Sequence, residues 1–306
     1  MITTLTGSNH FLIQAELDKV VKDFVAEHTD FGLQRFDGEE TEYDQIREAL
    51  ESLPFLASKK LVVLRSPSAC KEFADKYEKL LTNIPDTTDL VIHEPKIDKR
   101  SSYYKFLKKS TEYKEFGEPD EQTLIKWLTE QARSKGGTLN AQDARYLIDR
   151  LGPIQQLLSN ELSKLLTYNP RVTRETIDLL TEPTPQSTVF QLLDAAFAGS
   201  SKKTLAIYQE QRAGKTEPLA IIGMLAWQLH ILAIIVTAGQ RTDSDIAQEA
   251  KINPYVVRKS RQIANKLTLH ETKQLISQLL DLDLKIKTTI IDADDALQAF
   301  LLTLSF

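Results

Sequence analysis

Residues 2–24 read ITTLTGSNHFLIQAELDKVVKDF, and this pattern predicts a strand, a tight turn and an amphipathic helix. The strand covers residues 2–6, Gly7 opens the turn, and large apolar residues then recur at helical spacing from Phe11 to Phe24. Further along the chain, apolar runs predict strands at residues 31–36, 61–64, 89–93 and, more weakly, 112–116, with helical patterns between them. This alternation predicts a parallel sheet of about five strands with helices on both faces.

From residue 118 onward, almost every segment has helical periodicity. A break at residues 118–120 starts a short helical region, in which GGT (136–138) and LGP (151–153) separate three helices. The sequence TEPTP (181–185) precedes a longer helical array. We therefore predict an α/β domain at 1–118, a small helical domain at 119–182 and a second all-α domain at 183–306.

The composition describes an ordinary soluble chain of 306 residues, with 42% hydrophobic and 26% charged residues. Its formal net charge of -5 provides no overall basic field for nucleic acid. The single cysteine, Cys70, excludes an intrachain disulfide, and the scattered histidines predict no metal site. The N-terminus lacks the features of a signal peptide, which predicts a cytoplasmic protein. We interpret the long apolar run at 219–236 as a buried helix, so no membrane contact is expected.

The turn after the first predicted strand differs from a phosphate-binding loop. A nucleotide-binding ATPase would need GxxxxGK followed by Ser or Thr here, whereas the chain reads GSNHFLIQ from Gly7. The second glycine and the lysine are missing, and no acidic pair follows an apolar strand to hold magnesium. We therefore predict no catalytic or nucleotide-binding residues and no cofactor.

The stretch LESLPFLASKKLVVLR (50–65) joins a polar helix to an apolar strand. Pro54 ends the helix and leaves Phe55 and Leu56 on the connecting loop. These two side chains have two interpretations: a protruding wedge for a pocket on another protein, or a plug that packs into the chain's own core. From these residues alone the plug is favoured, because most large apolar residues are buried.

Two segments have features of nucleic-acid binding. Residues 98–110, DKRSSYYKFLKKS, mix lysines with aromatic residues, but their spacing is that of an amphipathic helix that covers a sheet. Residues 243–259, DSDIAQEAKINPYVVRK, have the rhythm of a helix-turn-helix, with Arg258, Lys259 and Arg261 as candidate DNA-backbone contacts. Lys251 occupies the turn position that usually needs glycine, so simple helix packing is the favoured interpretation.

The acidic pair Asp294–Asp295 is interpreted as part of a solvated face.

Several strings, taken in order along almost the whole chain, resemble the delta subunit family of the bacterial DNA polymerase III clamp loader. They are LTGSNHFLIQAELDKV, LPFLASKKLVVLR, DKRSSYYKFLKK, LIKWL, NELSKL, VFQLLDAAFAG, EPLAIIGMLAWQ and NPYVVRK. The resemblance implies an AAA+/RecA-like α/β domain without a functional phosphate loop, followed by a helical lid and a helical collar.

The resemblance also implies a function in DNA replication. Members of this family bind the ring-shaped sliding clamp (beta) and hold it open for loading onto primed DNA, without hydrolysing ATP themselves. The clamp-binding pair corresponds to Phe55 and Leu56, with Leu53 and Pro54 shaping the approach, which favours the wedge over the plug. The implied partners are the clamp, the gamma/tau ATPase subunits, delta-prime and primed DNA. A degenerate AAA+ ATPase and a helix-turn-helix DNA-binding regulator remain as alternatives.

Overall fold

The computed structural model describes residues 1–54 and 57–304, and it divides into two compact units, Met1–Glu118 and Pro119–Phe306. We refer to them as unit 1 and unit 2. The three-domain division, with its second boundary between residues 182 and 183, stays a prediction.

Unit 1 is an α/β unit. Its elements within the described residues are β1 Ile2–Thr6, α1 His10–His28, β2 Leu33–Asp37, α2 Tyr43–Glu51, β3 Lys60–Arg65, α3 Lys71–Thr82, β4 Thr88–Glu94, α4 Ser102–Ser110 and β5 Glu112–Glu115, with short 3₁₀ turns at Asp30–Gly32 and Pro67–Ala69. The strands form one parallel sheet in the order β2-β3-β4-β1-β5. The predicted fold class, a parallel AAA+/RecA-like sheet of about five strands followed by helices, is confirmed.

Helices cover both faces of this sheet. Successive residues of β3 point to opposite faces, so Leu61 and Val63 pack with α1 while Val62 and Leu64 pack with α2, α3 and α4. All four side chains are buried. A strand that is apolar on both faces is typical of the interior of a parallel sheet, and β3 has this character because helices shield it from water on each side.

Two boundaries in unit 1 differ from the prediction. The strand predicted at 31–36 begins only at Leu33, because Thr29 adopts φ 69° at the end of α1 and a 3₁₀ turn follows. Gly32 in that turn lies so close to the backbone of Lys59 that a Cβ atom would be 2.6 Å from the Lys59 carbonyl oxygen. The helix predicted at 98–110 begins at Ser102, because the Ser101 side chain caps it.

Unit 2 is almost entirely helical. Its elements within the described residues are α5 Glu121–Ser134, β6 Thr138–Leu139, α6 Ala141–Leu151, α7 Gln155–Tyr168, β7 Arg171–Val172, α8 Arg174–Leu180, α9 Pro185–Phe197, α10 Ser201–Ala213, α11 Pro218–Ala238, α12 Asp243–Ala250, α13 Pro254–Ala264, α14 Leu269–Thr288 and α15 Ala293–Thr303. The parallel pair β6–β7 and the additional helix α8 were not predicted. Strands of two residues are too short to show alternation, so the sequence pattern cannot reveal them.

The long apolar helix α11 lies in the core of unit 2. By length and composition alone it is apolar enough to cross a membrane. However, Ile221, Leu225 and Leu232 on this helix belong to the buried apolar cluster of unit 2. The buried amide of Gln228 donates a hydrogen bond to the Ser260 hydroxyl of α13 at 2.8 Å. We therefore identify α11 as a core helix, not a membrane span.

Candidate functional site

The loop between α2 and β3 carries the predicted clamp-binding residues. Helix α2 ends at Glu51, and Ser52 forms its C-cap with a backbone N–H that donates to the Glu48 carbonyl at 3.0 Å. Leu53 follows with 73% of its surface exposed, and Pro54 is half-buried. Phe55 and Leu56 lie outside the described residues. The described part of the loop therefore presents a large apolar side chain to solvent, next to the two apolar residues that follow Pro54 in the sequence.

A buried lysine connects the two ends of this loop. Lys60, the first residue of β3, is only 2% exposed. Its ammonium donates to the backbone carbonyl of Ser52 and, at 3.0 Å, to the Ser52 hydroxyl. Burial lowers the pKa of Lys60. Because the carbonyl end of a helix carries partial negative charge, the ammonium is well placed at the end of α2.

The residues after the loop are held from a different side. The Ser58 hydroxyl lies 3.4 Å from Nδ1 of His28, the last residue of α1. Lys59 forms an ion pair of 3.6 Å with Asp89 of β4. The part of the loop that leads into β3 is therefore tied to both a helix and a neighbouring strand.

The turn after β1 is closed by the backbone that follows β5. Gly7 has φ +121°, and a Cβ atom there would lie 2.0 Å from the carbonyl oxygen of Phe116. The Asn9 backbone N–H donates to the same oxygen at 3.1 Å, while the Asn9 side chain accepts from the Leu12 N–H at 3.0 Å. In a phosphate-binding loop, backbone N–H groups of this turn would point at the anion. Here the Asn9 N–H is instead occupied by the Phe116 carbonyl.

The acidic residue at the end of β4 also has internal partners. Glu94 is 1% exposed and accepts hydrogen bonds from the Ser68 N–H at 2.9 Å and the Ser68 hydroxyl at 3.0 Å. Burial raises the pKa of Glu94, and the two bonds from Ser68 oppose that rise. Within the described residues, no group of three or more His, Cys, Asp or Glu side chains is arranged to hold a metal ion.

Two family models match the chain, one in each unit. The model of DNA polymerase III, delta subunit matches residues 4–117, and that of the DNA polymerase III delta subunit, C-terminal domain matches residues 186–304. Together they span well over half of the sequence. The chain belongs to the DNA polymerase III delta subunit family. The resemblance found in the sequence is confirmed.

A curated relative and a solved structure, both from Bacillus subtilis, resemble this delta-family chain along nearly its whole length. The DNA polymerase III subunit delta of Bacillus subtilis (strain 168) is 22% identical over 317 residues, which cover 98% of this chain and 91% of the relative. The solved structure of the Bacillus subtilis DNA clamp loader delta protein has a TM-score of 0.82 at 23% identity and covers 99% of this chain and 94% of that one. The second similarity shows that the fold is shared.

The three candidate DNA contacts of the delta-family chain all have partners inside unit 2. Arg258 lies 3.4 Å from the Glu121 carboxylate, and Lys259 lies 3.2 Å from that of Asp149. Arg261 forms an ion pair with Asp243. A contact with DNA phosphates would have to compete with these pairs, although the Glu121 carboxylate is shared between Arg258 and Arg145, which lies 2.9 Å from it. The assignment of DNA contacts stays a prediction.

The turn between α12 and α13 contains one left-handed residue. Lys251 adopts φ 56° and ψ 43°, the left-handed conformation in which we expected glycine. Asn253 then caps α13, and its side chain accepts from the Tyr255 N–H at 2.9 Å. The argument that lysine disfavours this turn is therefore wrong. Tyr255, Val256 and Val257 are nevertheless buried, so much of α13 packs in the core.

Sequence reasoning missed Lys60. The signal was available, because Lys60 directly precedes the apolar strand predicted at 61–64. A buried lysine needs a partner, since burying an unpaired charge is costly. The partner could not be identified from the sequence, because a loop of unknown path separates Lys60 from Ser52.

Proposed function

We propose that this delta-family chain binds the sliding clamp through residues 53–56 and opens it for loading onto primed DNA. The observation that carries the proposal is the exposed Leu53 on a loop whose ends are joined by Lys60 and Ser52. Family membership makes the chain a clamp-loader subunit that works in a complex with others, which we take to include the gamma/tau ATPase subunits and delta-prime. We also propose a cytoplasmic location, which a role in replication supports.

Affinity for the clamp would come from burial of apolar loop residues in a pocket of the clamp. A few well-buried anchors supply most of the affinity of a protein interface, and each can contribute about 2 kcal/mol or more. The proposed anchors are Leu53, Phe55 and Leu56. Pro54 restricts the backbone between Leu53 and Phe55. We expect such anchors to hold one clamp interface apart while the ring is loaded.

The test measures clamp affinity for the purified chain and its variants. Phe55→Ala combined with Leu56→Ala should weaken binding by roughly thirtyfold or more, and Leu53→Ala by less. Leu179→Ala is the matched control, because Leu179 is also a leucine with 65% of its surface exposed but lies on α8. Full affinity in the double variant, with the fold intact, would remove these residues from the mechanism.

We propose further that the chain itself does not hydrolyse ATP and that neighbouring ATPase subunits do so. Support comes from the turn after β1. The Phe116 carbonyl accepts a hydrogen bond from the Asn9 N–H and leaves no room for a side chain at Gly7. The purified chain alone should show no ATP turnover above background. Measurable turnover that is lost on mutation of this turn would favour the degenerate AAA+ ATPase instead.

The helices of unit 2 are proposed to join the other subunits in a collar. An apolar groove of about 410 Å³ runs between α11 and α14, with Leu219, Gly223 and Leu280 among its lining residues. Leu280→Asp should reduce copurification with the ATPase subunits and delta-prime, whereas Leu179→Asp on α8 should not. Unchanged copurification of the Leu280 variant would exclude this groove from the collar contacts.

A further inference from the structure

We propose that Lys60 is a positioning residue for the clamp-binding loop: its ammonium holds the Ser52 carbonyl and so fixes the direction in which the chain leaves α2 towards Leu53. This inference rests on the proposed role of the loop in clamp binding. It assigns a function to a residue that contacts the loop from inside unit 1 and is too buried to be a clamp contact itself.

The geometry of the Ser52 carbonyl carries the argument. The last carbonyl groups of a helix have no partner inside the helix, so they need one from outside. Ser52 is the C-cap of α2, and its carbonyl belongs to the peptide bond that leads directly into Leu53. A donor at this carbonyl therefore fixes the plane of that peptide bond. Lys60 supplies the donor across the base of the loop.

The chemistry of Lys60 agrees with such a role. An apolar side chain would fill the start of a buried strand without any cost of desolvating a charge. None of the ion pairs formed by the described residues includes Lys60, and both acceptors found for its ammonium belong to Ser52. Burial lowers the pKa of Lys60, as expected of an ammonium that is compensated by neutral oxygens alone. The hydrogen bonds to Ser52 therefore explain why a lysine occupies this buried position.

The other side of the loop is held without Lys60's ammonium. Ser58 and Lys59 contact His28 and Asp89, so residues that lead into β3 are anchored to other elements. Only the side that leaves α2 depends on the Lys60 ammonium. Removal of this ammonium should therefore loosen Leu53 and Pro54 while the strand pairing of β3 is retained. A partner that binds the loop would then have to order it, which weakens binding.

The experiment compares clamp affinity among single variants of the full chain. Lys60→Met removes the ammonium and keeps an apolar stem, and we expect affinity to fall roughly three- to tenfold. Ser52→Ala removes only the hydroxyl acceptor, so it should stay close to wild type. Lys114→Met is the control for loss of a hydrogen-bonded strand lysine, because the Lys114 ammonium donates to the Glu16 carboxylate at 2.8 Å but lies on β5, the edge strand farther from β3.

Failure of this inference can be distinguished from failure of the proposed function. If Phe55→Ala with Leu56→Ala abolishes clamp binding but Lys60→Met binds like wild type, the positioning role is refuted and the clamp-binding role stands. If the double variant binds fully, the proposed function itself fails.

A measurement on the wild-type chain covers the case in which Lys60→Met does not fold. We expect backbone order parameters from ¹⁵N relaxation at Leu53 close to the value of about 0.85 for rigid backbone. Values below about 0.6 in the free chain would overturn the inference, because a mobile Leu53 is not positioned by Lys60. In a folded Lys60→Met variant the order parameter of Leu53 should fall, while that of Val62 in β3 should not change.

Discussion

Arg212 on α10 and Asp294 on α15 form a two-point ion pair. Nε of Arg212 lies 2.7 Å from Oδ1 of Asp294, and Nη2 lies 3.1 Å from Oδ2. The Tyr208 hydroxyl donates to the same Oδ1 at 2.7 Å. Hydrogen bonds from Arg212 and then Tyr208 lower the pKa of Asp294. Asp294 remains 37% exposed, as expected of a solvated face, but its carboxylate also joins two helices that are far apart in sequence, which the sequence did not predict.

This arrangement predicts that Tyr208→Phe destabilises unit 2. The variant keeps the buried ring but removes the hydroxyl donor, so the free energy of unfolding should fall by about 1 kcal/mol. Asp294→Asn should also lower stability, because it removes the charge that Arg212 binds. Urea unfolding monitored by circular dichroism measures both effects. Asp295→Asn, at an exposed neighbouring position, is the control, and an equal loss there would contradict the assignment.

Gly7 should tolerate no side chain. Gly7→Ala would place a Cβ atom 2.0 Å from the Phe116 carbonyl oxygen at φ +121°. We expect a loss of about 2 kcal/mol or more of unfolding free energy from backbone strain and overpacking together. Gly117→Ala is the control, because no atom lies within 4 Å of its Cβ position, and its effect should stay within about 0.5 kcal/mol. Similar unfolding midpoints for the two variants would show that the turn can move.

Glu94 should make stability depend on pH. Burial raises its pKa above the ordinary value of 4.5, so the folded state retains the proton to higher pH than the unfolded state. The contribution of Glu94 to stability is therefore present at low pH and is progressively lost as pH rises above 4.5 towards the folded pKa. Glu94→Gln removes this dependence and keeps an oxygen for Ser68. The stability of the variant relative to wild type should rise as the pH is raised above 4.5, as measured by urea unfolding. A constant difference over this range would contradict the prediction.

The positively charged side chains of α13 should contribute to the stability of the fold more than to DNA binding. Lys259→Met should lower the melting temperature, because it leaves Asp149 without its ammonium partner. Binding to duplex DNA at moderate salt should be weak for wild type and variant alike. Lys251→Met, at an exposed position in the preceding turn, serves as the control for charge alone. Tight, steeply salt-dependent binding by wild type that Lys259→Met abolishes would instead support the helix-turn-helix regulator.

Much of unit 1 was predictable because its signals are local. The runs at residues 2–6, 61–64 and 89–93 are rich in β-branched and aliphatic residues, and all three form strands of one parallel sheet. Their burial on both faces follows from helices that alternate with them. The start of β2 was predicted wrongly, because the close approach of Gly32 to Lys59 depends on a neighbour that periodicity does not reveal.

The residues of the candidate loop could be identified from the sequence, but the contacts that hold the loop in place could not. Pro54 and the apolar residues beside it identify an unusual loop from composition alone. Lys60 did not attract attention, because its partner is a backbone carbonyl and no residue type in the sequence signals that acceptor. Arg258 and Lys259 were interpreted as available cations, because Glu121 and Asp149 lie more than a hundred residues before them.

The sequence by itself determined the class of fold, the absence of a phosphate-loop motif and the family, since hydrophobic periodicity and short motifs are properties of neighbouring residues. Only the tertiary structure decided which polar groups are satisfied. The Lys60 ammonium donates to the Ser52 carbonyl, and the Phe116 carbonyl lies against the turn at Gly7. Asp294 forms an ion pair with an arginine 82 residues away. These contacts arise because folding brings distant segments together, and a buried donor or acceptor left without a partner costs free energy.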